Sequence, residues 1–271
     1  MKLCRIIDKQ FGQTYAISQP DGSLRRCRVN SPFELETVEI TGEAVCPEMF
    51  LPPIEPRSIL CVAGNYRKHV EEFGTPPNPD IMVFMKNPAS AIGHQQPIVI
   101  PSVCGDEVDY ECELAMVISR PCRDVAVRDA RNYILGFTIA NDVSARIWQK
   151  ERGGGQWCRG KGFDTFCPLG PFLITPDEVA NPNDLRLTTT LNGRVVQDSR
   201  TSFMTGSVDD IVSFLSQGTT LLQGTVILTG TPEGVGWART PKLLLQHGDT
   251  VTITIDALGE LTNSVIRKTS L

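Results

Sequence analysis

Two glutamates, Glu111 and Glu113, stand two residues apart in the stretch VDYECELAMVI at 108–118, which is otherwise mostly apolar. In an extended strand, positions i and i+2 project from one face, about 7 Å apart. Asp109, Glu111, Glu113, Ala115 and Val117 then share one face, and Val108, Tyr110, Cys112, Leu114, Met116 and Ile118 the other. Two carboxylates at that spacing repel unless water, protons or a cation intervene. Carboxylate oxygens are the preferred ligands of hard cations such as Mg²⁺, Mn²⁺ and Ca²⁺. The face turns apolar beyond Glu113, which argues against a strand that simply looks out on water. A third carboxylate, Asp142, follows the apolar run 134–140, where it is equally suited to cap a following helix. From these residues alone, solvated acids and a shared metal both stay open.

The elements that must position these groups read as mostly β with a few short helices. TYAISQPDGSLRRCRV carries a Pro-Asp-Gly turn between two strand-like pieces, the pattern of a hairpin. LPPIEPRS at 51–58 holds three prolines and suits neither helix nor central strand. It divides a small N-terminal β unit at 1–55 from a main domain at 56–271. Beyond it, ILCVAGNY and DIMVFMKN read as strands, with YRKHVEEFG as about two helical turns ended by Gly74. DVSARIWQKER is expected to be a short helix, followed by the glycine-rich 152–165. LRLTTTLNGRVVQDS places Asn192-Gly193 between alternating strands, a type I′ hairpin signal. SVDDIVSFLSQG predicts one amphipathic helix with Ser207 as N-cap, Ile211, Phe214 and Leu215 on one face, and Gly218 as its stop.

The whole chain excludes several classes. At 271 residues it is long enough to bury a large core without staples. Its net charge of −5 lacks the basic footprint of a nucleic-acid binder. No apolar run approaches the roughly 18 residues that span a bilayer. The nine cysteines are scattered with no CxxC pair, so they read as free thiols suited to a reducing cytoplasm. The segment GQWCRGK at 155–161 spells most of a phosphate-binding loop. Gly162 stands where that loop needs Ser or Thr, so a nucleotide site is a weak rival.

GNYRKHVEE, FMKNPAS, DYECEL, GFTIANDVSARIWQ, GKGFDTFCPLGP, LNGRVVQ and GTPEGVG occur in one order from about residue 59 onward. In these blocks the chain resembles the fumarylacetoacetate hydrolase superfamily; residues 1–55 match weakly. The resemblance implies a mixed β-sandwich roll of mostly β (α+β) class, usually a homodimer. It also implies Mg²⁺ or Mn²⁺ as cofactor, with Ca²⁺ as a stand-in, and a small keto acid as substrate. Carried over residue by residue, Glu111, Glu113 and Asp142 match the metal ligands. His69 and Glu72 match a catalytic His-x-x-Glu pair, and Lys161 the conserved lysine of the site. Arg146, Gln149 and Thr231 match substrate contacts. The stretch before His69 lacks the further aspartate ligand of the original hydrolase, which points to smaller members with three carboxylates. The expected activity is hydrolytic cleavage of a C–C bond in an acylpyruvate-type acid. Isomerisation or decarboxylation of an oxo-dienoate or 2-oxo acid is the alternative. A silent metal-binding homologue is the more distant rival, and the presence of His69, Glu72 and Lys161 argues against it. No nucleic acid or membrane partner is expected.

Overall fold

In the computed structural model, residues 1–29, 31–74 and 80–268 are described. Their architecture is one large mixed sheet packed against a smaller one, with few and short helices. The large sheet runs in the order Glu39–Ala44, Leu24–Arg28, Gly12–Ser18, Lys2–Asp8, Cys167–Ile174, Ile134–Asn141, Cys112–Ile118, Thr225–Leu228, Ser58–Ala63, Met82–Lys86. A smaller sheet joins Arg194–Arg200, Arg186–Leu191, Thr250–Ile255, Gly259–Arg267 and Ile98–Ile100. Most neighbours are antiparallel. Thr225–Leu228 with Ser58–Ala63 and Gly259–Arg267 with Ile98–Ile100 are parallel, which makes both sheets mixed.

Both faces of Cys112–Ile118 are covered. Leu114, Met116 and Ile118 pack with Val208, Ile211, Val212 and Leu215 of the helix Val208–Ser216 and with Leu187, Ile253 and Ile255 of the smaller sheet. Ala115 and Val117 pack on the other side with Ile59, Cys61, Leu135, Leu169 and Leu228. This double burial explains a strand with little polar alternation.

The local signals hold where turn chemistry is strong. Asn192 and Gly193 have φ of 51° and 79°, the left-handed pair that a type I′ hairpin requires. Ser207 caps Val208–Ser216 with a reciprocal capping box to Asp210. The hairpin over Gly12–Ser18 and Leu24–Arg28 is also formed. The strands of 1–55 continue the large sheet through the pairs Lys2↔Ile174 and Leu3↔Leu173.

Two local expectations are corrected. The stretch 142–152 is not a simple helix: Ser144–Ala145 pairs as a strand with Val108–Asp109, and a π-helical turn follows over Trp148–Arg152. Tertiary pairing outcompetes the local helical pattern there. The stretch 108–118 is also not one unbroken strand. Around Glu111 the ladder gives way to Asn141, whose Oδ1 accepts the Glu111 N–H at 3.0 Å, and the Glu111 carbonyl accepts the Asp142 N–H at 2.9 Å. All nine cysteines are free thiols.

Candidate active site

The three carboxylates converge. Glu111 and Glu113 lie at the N-terminal end of Cys112–Ile118, and Asp142 directly follows the paired strand Ile134–Asn141. Each offers an oxygen within 4.8 Å of the others, and all three are buried, at 4%, 1% and 0% exposure. Neither solvation nor a helix cap accounts for acids buried this deeply. Ionised groups taken out of water need cations or hydrogen bonds.

The cations are present, but unevenly shared. Lys161, in the single turn Cys158–Lys161, places Nζ 2.7 Å from Glu111 Oε2 and 2.7 Å from Asp142 Oδ2. Arg146 bridges Glu111 Oε1 at 2.7 Å and Asp109 Oδ2 at 2.7 Å, and its Nη1 donates to Gln149 Oε1 at 3.0 Å. Lys86 reaches Asp142 Oδ1 at 2.5 Å. Glu113 has no ion-pair partner among the described residues; its Oε2 accepts the Gly230 N–H at 2.5 Å. Burial alone would raise the Glu111 carboxyl, but Lys161 and Arg146 outweigh it and hold that group well below the usual carboxylate range. At Glu113, burial first and then Asp142 and Glu111 push the carboxyl well above that range. Burial works against the charge of Lys161, yet Asp142 and Glu111 more than offset it and raise its pKa.

A divalent cation fits this set. Three converging carboxylate oxygens are hard donors, and Glu113 is a buried carboxyl with no ion-pair partner among the described residues. Glu111, Glu113 and Asp142 would hold the ion, leaving other coordination positions for small ligands.

The His-x-x-Glu pair lies across the cavity. Its short helix, α1 over Arg67–Glu72, sets His69 and Glu72 on one face, and His69 Nδ1 lies 2.7 Å from Glu72 Oε1. Glu72 Oε2 in turn accepts the Gly234 N–H at 2.9 Å, so the GTPEGVG loop anchors the pair. With Nδ1 engaged, Nε2 is the ring nitrogen left for a ligand. Asn65, just before α1, donates to the carbonyls of Thr229 and Gly206 and accepts from the Gly206 N–H, tying α1 to the same loop.

A cavity of about 620 Å³ joins these groups. His69, Glu111, Glu113, Arg146, Gln149, Lys161 and Thr231 line it, with apolar walls from Val62, Val70, Phe73, Met82, Phe84 and Trp157. Thr231 accepts a hydrogen bond from Gln197 Nε2 at 3.0 Å. Of the nine residues singled out from the sequence, seven line the cavity. Asp142 lies beneath its two lysines, and Glu72 stands behind His69.

Sequence reasoning missed three supporting residues. Lys86 is a buried lysine at the end of the apolar strand Met82–Lys86, and that charge after MVFM was the available signal. Asp109 shares the alternation of the glutamates and, with no exposure, accepts from the N–H groups of Tyr110, Gly236 and Trp237 as well as from Arg146. Gln197 ties the Cys112 N–H, Thr189, Thr231 and the Pro232 carbonyl together, and only tertiary packing reveals it.

Comparison with known proteins adds an independent line. The family description "Fumarylacetoacetate (FAA) hydrolase C-terminal" matches residues 58–266. The chain is 43% identical over 218 residues to the Homo sapiens protein named oxaloacetate tautomerase FAHD2A, mitochondrial, covering 80% of this chain and 69% of that one. A solved structure named 2-hydroxyhepta-2,4-diene-1,7-dioate isomerase from Mycobacterium marinum is 40% identical, with a TM-score of 0.83 and full coverage of both chains. Another, named 5-carboxymethyl-2-hydroxymuconate delta-isomerase from Mycobacterium smegmatis, is 41% identical, with a TM-score of 0.83, covering 99% of this chain and all of the other.

Proposed function

The chain belongs to the fumarylacetoacetate hydrolase family, and on that footing we propose that it moves a proton between the keto and enol forms of a small 2-oxo acid. The observation that carries this reading is the meeting, at one cavity, of a three-carboxylate cluster, of which Glu111 and Glu113 line the cavity, with a histidine held by a glutamate. Glu111, Glu113 and Asp142 would hold a divalent cation, whose positive charge would polarise a 2-oxo group. Mg²⁺ is the proposed ion, with Mn²⁺ as its substitute.

The protein's own groups do the rest. Glu72 fixes the ring of His69 through Nδ1, so Nε2 is the nitrogen that takes a proton from the carbon beside the keto group. That C–H electron pair becomes the new C=C bond, and the oxygen gains a proton from water or from the imidazolium. Lys161 and Arg146 hold Glu111 in place, and Thr231 and Gln149 offer hydrogen bonds to the substrate carboxylate.

Hydrolytic C–C cleavage, the first expectation from the sequence, uses the same His69–Glu72 pair to activate water. It yields to tautomerisation because relatives at 40–43% identity carry tautomerase and isomerase names. Decarboxylation is a further outcome of the same enol chemistry. A homodimer in a reducing compartment such as the cytoplasm is proposed with it. No helix among the described residues is long and apolar enough to cross a membrane. The test follows enol-oxaloacetate by ultraviolet absorbance with Mg²⁺ or with chelator, beside acetylpyruvate and an oxo-heptenedioate. Metal-dependent loss of the enol signal, reduced about 10²- to 10⁴-fold in His69→Ala, is expected. Turnover of acetylpyruvate alone, with water added, overturns the reading.

A further inference from the structure

Three cationic side chains line the cavity among its described residues: Arg146, Lys150 and Lys161. Two of them are committed. Arg146 is locked between Asp109 and Glu111, and Lys161 between Glu111 and Asp142. Lys150 has no ion-pair partner among the described residues. Its Nζ rests 4.1 Å from the centroid of the Phe73 ring, and that ring meets His69 edge-on at 5.2 Å. The ammonium therefore lies one ring beyond the histidine, on an exposed side chain that lines the cavity.

The backbone explains the placement. Arg146, Gln149 and Lys150 are spaced i, i+3 and i+4, and the π-helical turn Trp148–Arg152 directs both Gln149 and Lys150 to the same cavity. Such turns insert one residue into the helical register and often re-aim side chains at functional sites. Lys150 is exposed, so the plain alternative is a solvated lysine on an aromatic ring.

We propose that Lys150 receives the second carboxylate of a dicarboxylic 2-oxo acid and so selects dicarboxylates over monocarboxylates. This rests on the 2-oxo acid reading of the site. The carboxylate and keto oxygen at one end of the substrate face the acidic cluster, whose cations are already saturated by protein. A distal carboxylate passing the apolar walls meets, among the described lining residues, one ammonium without an ion-pair partner, that of Lys150. Partial burial, with Arg146 and Lys242 close by, pulls the ammonium below the usual lysine value, and an anion beside it relieves that cost.

The test compares two five-carbon ligands that differ only at the far end, 2-oxoglutarate and 2-oxovalerate. Both are titrated calorimetrically in Mg²⁺ into the full chain and into Lys150→Met and Lys150→Arg. Wild type is expected to prefer 2-oxoglutarate by roughly tenfold, the scale of a half-screened ammonium–carboxylate contact, and to lose part of that preference at high salt. Lys150→Met abolishes the preference while 2-oxovalerate affinity stays within about twofold, and Lys150→Arg restores most of it. A preference that survives in Lys150→Met, or no preference in a wild type that binds both ligands, overturns the role of Lys150 alone. A wild type that binds neither ligand overturns the 2-oxo acid reading and this inference together.

Discussion

Glu113 is the residue on which the charge balance of the site turns. Glu111 and Asp142 each hold lysine or arginine partners at 2.5–2.7 Å, whereas among the described residues Glu113 has no ion-pair partner and accepts the Gly230 N–H. A buried carboxylate without a cation opposes folding, and a bound divalent ion removes that opposition. Mg²⁺ at about a hundred times its dissociation constant is expected to stabilise wild type by about 2.7 kcal/mol. For a chain of this size that raises the melting temperature by roughly 5–10 °C. Glu113→Gln keeps the shape and removes the charge. It is expected to melt higher than metal-free wild type by a few degrees and to show no Mg²⁺ shift. Thermal melts in Mg²⁺ and in chelator measure both, and an undiminished shift in the variant removes Glu113 from the metal site.

At the scale of elements, the site hangs on the loop after Thr225–Leu228. Thr229 bonds the Leu114 carbonyl, Gly230 donates to Glu113, Gly234 donates to Glu72, and Gly236 and Trp237 donate to Asp109. One loop thus fixes the metal end, the histidine pair and the arginine anchor. Gly230 has φ of +97°, and a Cβ there would meet Asn65 Cβ at 2.9 Å. Gly230→Ala is expected to cost roughly 1–3 kcal/mol and to weaken Mg²⁺ binding, because the N–H under Glu113 moves. Ser207→Ala, at the cap of Val208–Ser216, provides the contrast: about 1 kcal/mol and a melting temperature lower by roughly 2–4 °C, with Mg²⁺ affinity unchanged. Melts paired with calorimetry separate the two. Equal effects on metal binding would refute the loop's special place.

Across the whole molecule, burial sets which groups water can reach. Among the nine free thiols, Cys46 is exposed and Cys158 half-buried, while the others are buried. A thiol reagent is expected to label Cys46 and Cys158 promptly in the folded protein and the rest only on unfolding. Prompt labelling of Cys61 or Cys112 would contradict the packed core around the site. Much of the fold was legible in the sequence where chemistry is local. Asn192-Gly193 demands left-handed backbone, Ser207 supplies a cap oxygen, and the i, i+2 spacing puts Glu111 and Glu113 on one side whatever surrounds them. Ordered family blocks marked Asp142, His69, Glu72 and Lys161 as companions of those glutamates. Three things depended on tertiary structure. The stretch 142–152 became a strand and a π-turn because Val108–Asp109 takes Ser144–Ala145 as its partner. Lys86 and Asp109 joined the site through contacts 56 and 37 residues away in sequence. Glu113, alone of the three acids, was left without an ion-pair partner among the described residues. Local conformation depends on neighbours along the chain and can be read from them. Coulomb energy and desolvation depend on distance in space, so which buried charge is paired is decided only when the chain closes on itself.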